Sequence, residues 1–79
     1  DVDEKVAIVL LDLMEEKRGE VVSLVADRVL EEVRGASGWI TTAELERRVG
    51  ADRYWVAMAV ERLSAEGLVE VREGQVRAL

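Results

Sequence analysis

Glycine is the only strong punctuation in this chain. Six glycines and no proline divide its 79 residues, and glycine takes the backbone conformations at turns and helix ends that strain other residues. Gly19, Gly35, Gly38, Gly50, Gly67 and Gly74 leave segments of helix or hairpin size between them. That length predicts one domain. A domain so small buries a limited share of its surface, so dimerisation or attachment to a larger protein would add stability. The chain opens on Asp1 rather than Met, as a processed product or a piece of a longer protein would.

The segment from Val2 to Lys17 repeats apolar residues at three- and four-residue steps: Val2, Val6, Val9, Leu10, Leu13 and Met14. That spacing predicts a helix with one apolar face. Asp1, Asp3 and Glu4 suit its positive N-terminal end, and Lys17 and Arg18 suit its negative end. A second helix is expected from Glu20 to Arg34, with Val22, Val25, Ala26, Val29, Leu30 and Val33 as its apolar stripe. The preferred reading of Lys17-Arg18-Gly19 is a tight turn between two helices; the alternative is one long helix weakened at Gly19. Ile8 and Leu24 fall on the polar sides of these segments.

Gly35 to Gly38 reads as a loop, followed by a short extended stretch at Trp39 and Ile40. Thr41-Thr42-Ala43-Glu44 has the spacing of a capping box, in which Thr41 and Glu44 satisfy each other's amides. The helix it opens turns Leu45 and Val49 inward and stops at Gly50. Asp52 is an N-cap for the next helix, Arg53 to Glu66, whose buried face is Val56, Ala59, Val60 and Leu63. Gly67 is placed for a left-handed cap. Two alternating strands, Leu68 to Arg72 and Gln75 to Leu79, flank a two-residue turn at Glu73-Gly74.

Composition excludes several functions. There is no cysteine and no histidine, which removes disulfides, thiolate nucleophiles, the common zinc sites and the commonest general base. Absence of cysteine suits a reducing cytoplasm. The longest apolar run, Val6 to Leu11, falls far short of the roughly 20 residues of a membrane helix, and the acidic N-terminus is unlike a signal peptide. No phosphate-binding glycine loop and no nucleophile beside a base is present, so neither enzymatic activity nor a metal or cofactor is expected. The net charge is −6. Residues 1–35 hold ten acids and five bases, a balance of −5, and residues 36–79 hold seven acids and six bases, a balance of −1.

The stretch ITTAELERRVGADRYWVAMAVERLSAEGLVEVREG, beginning at Ile40, resembles the winged helix-turn-helix superfamily as it occurs in prokaryotic regulators. Thr41-x-x-Glu44-Leu45, the Val49-Gly50-Ala51 turn, Val56-x-x-x-Val60-x-x-Leu63 and Glu66-Gly67-Leu68-Val69 carry the likeness. It implies a mainly α fold with a small β-wing, preceded by an extra N-terminal helix. Residues 1–18 would serve packing or dimerisation, and residues 19–79 would form the winged helix-turn-helix. By this resemblance Arg53 to Glu66 is the recognition helix, lying in the major groove of DNA, with the wing near Arg72 to Gln75 beside the phosphates.

The resemblance implies a DNA-binding domain in transcription regulation or genome maintenance, with Arg47, Arg48, Arg53, Tyr54, Arg62 and Arg72 at the double-stranded DNA. Arg77 adds to the basic set. The bland alternative pairs these arginines with Glu44, Glu46, Glu66 and Glu70. The expected solvent face of the recognition helix departs from the DNA-reading pattern: Tyr54, Ala57, Met58, Glu61 and Ala65 offer few donors for base edges or phosphates. A second function follows from it, a protein-interaction domain docking a partner through Tyr54, Trp55 and Met58, residue types favoured at interfaces. Trp55 could instead pack back onto the first helices, and Trp39 is expected in the core or as a lid over the strand. Ile8 and Leu24 together mark a candidate homodimer seam.

Overall fold

The computed structural model describes residues 4–79, with side chains from residue 16 onward. Three helices and three strands follow in the order α1 (Glu4–Gly35), β1 (Ile40–Thr41), α2 (Thr42–Val49), α3 (Arg53–Ala65), β2 (Val69–Arg72) and β3 (Gln75–Ala78). The fold is mainly helical with a small antiparallel sheet of order β1-β3-β2.

The expected turn at Lys17-Arg18-Gly19 is absent, because α1 runs unbroken through it for 32 residues. At 1.5 Å per residue such a helix is about 48 Å long, which accounts for the 53 Å long axis of a molecule only 23 × 20 Å across. The helix continues through Gly19 for a simple reason. A glycine inside a helix costs only about 1 kcal/mol, neither side of Gly19 carries a proline, and Glu20 is not a capping residue. The Ile8 half of the candidate dimer seam lies outside the described side chains. Leu24 is 70% exposed.

Continuity through Gly19 is testable by substitution. A Cβ built there meets nothing within 4 Å, and Gly19 is helical. Gly19→Ala is expected to stabilise the protein by about 0.5–1 kcal/mol, raising Tm by roughly 4–8 °C per kcal/mol. A turn with left-handed backbone at Gly19 would give the opposite sign in a thermal melt.

The core follows the expected stripes. Val22, Ala26, Val29 and Val33 of α1 are buried, as are Leu45 of α2 and Val56, Ala59, Val60 and Leu63 of α3. Ile40, Val69 and Val76 contribute one face of the sheet. Val25, Leu30, Val49 and Leu68 pack around this cluster, partly buried.

Local chemistry fixes the element ends. Thr41 Oγ1 accepts the Glu44 amide at 3.1 Å, and Asp52 Oδ1 accepts the Trp55 amide at 3.2 Å. The return arm of the capping box does not form, since the Glu44 carboxylate takes the Arg47 and Arg48 guanidiniums instead. Past α3, Gly67 has φ 75°, with Leu68 N–H donating to Leu63 C=O and Gly67 N–H to Ser64 C=O, each at 3.0 Å. Those two bonds make a Schellman cap. Glu73 and Gly74 have φ 49° and 75°, as a two-residue hairpin turn with positive φ at both positions requires. Thr42 N–H donates to Gly74 C=O at 3.0 Å, tying this turn to the start of α2.

Candidate functional site

α2, the turn at Gly50, α3 and the β2–β3 hairpin place the expected site residues. With Val56, Ala59, Val60 and Leu63 buried, helical geometry at about 100° per residue turns Tyr54, Ala57, Glu61 and Ala65 outward. All four are exposed, as is Arg53, while Trp55 and Met58 are half-buried. Tyr54 and Trp55 meet edge to face with ring centroids 5.0 Å apart. Trp55 therefore neither packs fully back into the core nor stands free. The solvent side of α3 keeps the apolar centre and single acid read from the sequence.

The arginines fall into separate groups. Arg47 and Arg48, at the end of α2, both bind the Glu44 carboxylate, and Arg48 also approaches Glu32 of α1 at 3.9 Å. Arg62 turns towards α1, donating to Ser23 Oγ at 2.7 Å, and pairs with Glu66 at 3.4 Å. Arg72 and Arg77 share Glu70, at 3.2 and 2.6 Å. Of the six arginines after Ser37, Arg53 alone has no carboxylate within 4.0 Å among the described residues. Glu44, Glu66 and Glu70 thus act as the expected partners. Glu46 does not among the described residues, and Glu32 of α1 is a partner of Arg48 that no local spacing marks.

Of the two places expected for Trp39, core or lid over the strand, it takes the second; what sequence reasoning missed is its pairing with arginines. In β3, Val76 faces the core, so strand alternation puts Arg77 on the outer face. Arg77 is directly opposite Glu70 of β2. The Arg77 guanidinium carbon lies 4.8 Å from the Trp39 ring centroid and that of Arg72 lies 5.9 Å from it. Both are within cation–π range. At 37% exposure, Trp39 is a platform on the outer sheet face rather than a core residue. The only available signal was the register that sets Trp39 beside Arg77, and it requires the sheet. A shallow groove runs from this ring along Gly35 to Thr41 and meets Glu44 and Arg48.

Hydrogen bonds from the Arg47 and then the Arg48 guanidinium lower the Glu44 pKa from 4.5 to about 2. A depressed carboxylate pKa contributes stability that is complete above the unfolded value and is lost as pH falls through the folded one. Glu44→Gln is therefore expected to lower Tm at pH 7, with the gap from the parent protein closing between pH 4.5 and 2. A gap that persists unchanged at pH 2 would mean that the Glu44 charge is not its source.

Among the described residues no helix is long and apolar enough to cross a membrane. Comparison of the chain with family models, with curated proteins and with solved structures gives no match.

Proposed function

We propose that this domain is a winged helix-turn-helix that binds duplex DNA through the first turn of α3 and the β2–β3 hairpin, in transcription regulation or genome maintenance. The order helix, strand, helix, turn, helix, hairpin supports the fold half of this reading. At the site, the carrying observation is Arg53: exposed, first in α3, and without an acidic partner among the described residues. An arginine there is placed to reach a guanine edge or a phosphate. The acidic charge lies elsewhere, since residues 1–35 carry −5 of the −6.

Fluorescence anisotropy with a random duplex tests the proposal. Binding is expected at about 50 mM salt and falls steeply towards 200 mM as counterions are released. Arg53→Ala and Arg72→Ala are each expected to weaken it by about tenfold. No binding at the lower salt would remove this reading.

A second reading has its own observation. Arg47, Arg48, Arg62 and Arg72 are already engaged with glutamates, and the centre of the α3 face has no base. On that basis Tyr54, Trp55 and Met58 dock a protein partner instead. Such docking depends little on salt and is lost in Tyr54→Ala or Met58→Ala, whereas duplex affinity is then absent in every variant.

A further inference from the structure

We infer that the outer face of the β-sheet is a binding surface for single-stranded DNA, with an unpaired base stacked at Trp39 and its phosphates held by Arg72 and Arg77. The inference does not rest on the duplex reading of α3. The helices pack on the inner face of the sheet, and this surface is on the other side.

The sheet itself sorts the residues. Ile40, Val69 and Val76 turn into the core, so strand alternation sends Thr41, Glu70, Arg72, Gln75 and Arg77 outward. Register then lines them up across the strands: Thr41 with Gln75 and Arg72, and Arg77 with Glu70. Trp39 stands one residue before β1, at the head of the second row. Arg72 is in the far strand, yet its guanidinium carbon comes within 5.9 Å of the Trp39 ring centroid, and that of Arg77 within 4.8 Å. One point of the surface therefore gathers an aromatic ring and two cations, each partly open to solvent.

That combination selects the occupant. The indole offers a stacking plane and a single hydrogen-bond donor. In a duplex the base faces are already stacked and the grooves present only edges, so the ring gains nothing there. An acidic peptide satisfies the arginines and leaves the ring unused. An unpaired nucleotide uses both: its base stacks on the ring or on a guanidinium plane, and its phosphates meet the cations. Charge agrees. Glu70 is the one acid of these rows and is outnumbered by Arg72 and Arg77, a local positive surplus in a chain of net charge −6. Glu44 borders the adjoining groove, where Arg47 and Arg48 hold it. The groove from Gly35 to Gly38 bears no side chain larger than serine, so a sugar-phosphate chain can pass close to it. Deoxyribose is favoured over ribose because a 2′-hydroxyl finds few groups here. The Thr41 hydroxyl already accepts the Glu44 amide, and the Glu70 carboxylate already takes both arginines.

Fluorescence anisotropy of the full chain with a labelled dT oligomer of about ten nucleotides, at about 50 mM salt, tests the inference. Binding is expected. An abasic oligomer of the same length and charge should bind about tenfold more weakly, because it keeps the phosphates and loses the stacking. Trp39→Leu should weaken binding of dT by about tenfold and Trp39→Phe by no more than about threefold, with circular dichroism as the check on folding. Arg77→Ala should weaken it too and lower the salt slope by about 0.7. A U oligomer should bind no more tightly than dT. Any affinity for blunt duplex should be unchanged in Trp39→Leu, so failure of the duplex reading leaves the dT result standing. No binding to dT, equal affinity for the abasic oligomer, equal competition by polyglutamate of the same charge, tighter binding of U, or an equal loss of duplex affinity in Trp39→Leu would each overturn the inference.

Discussion

Leu45→Ala is expected to remove about 2–5 kcal/mol of folding stability, the range for truncating a buried leucine. Leu45 is fully buried, with 0% exposure, in the cluster that joins α1, α2, α3 and the sheet. It is the sole fully buried residue of the eight-residue helix α2, so no neighbour in that helix can replace it. Domains this small sit towards the lower end of the usual range of about 5–15 kcal/mol. Truncation should therefore leave a substantial unfolded fraction at room temperature. Urea denaturation reads the result as a fall in midpoint with unchanged slope. A loss under about 1 kcal/mol would show that α2 is not docked on the other helices as described.

Glu61→Lys is expected to tighten binding to random duplex by about tenfold at low salt and to steepen its salt dependence by about one counterion. Glu61 is the acid at the centre of the exposed side of α3, on the face shared by Tyr54, Ala57 and Ala65. Glutamate and lysine have similar helix propensity, so the fold should not change. Reversal removes repulsion from phosphates and supplies a cation in its place. Loss of affinity, or none gained, would mean that phosphates do not approach this face. Together with Arg53→Ala, the measurement asks for opposite signs from two residues of one helix, a pattern that a general change in solubility or stability does not produce.

The second half of the chain was legible because its signals are local. Thr41, Asp52 and Gly67 satisfy or free backbone groups within a few residues of themselves, and the α3 quartet from Val56 to Leu63 is set by helical period alone. What could not be read depends on partners distant in sequence. Gly19 looked like a break because local propensity is all a sequence shows, and its small cost is outweighed along a long helix. The capping box lost its return arm because Arg47 and Arg48 compete for the Glu44 carboxylate. Arg62 found Ser23, 39 residues away, and Arg48 found Glu32 on another helix. Trp39 became a platform for Arg77 only once β1 and β3 were in register.

One arrangement bears on how such a surface could hold an anion. Glu44 is shared by Arg47 and Arg48, and Glu70 by Arg72 and Arg77. The Glu70 trio therefore carries a surplus of one positive charge, whereas the Glu44 group runs on through Glu32, Arg28 and Glu31 into a balanced network. If a phosphate draws off one guanidinium, the carboxylate keeps the other, so neither charge is stranded and little is lost, because exposed ion pairs are individually weak. If the domain binds DNA as proposed, Glu70 works as a holster: it keeps Arg72 and Arg77 ordered until a phosphate takes one of them.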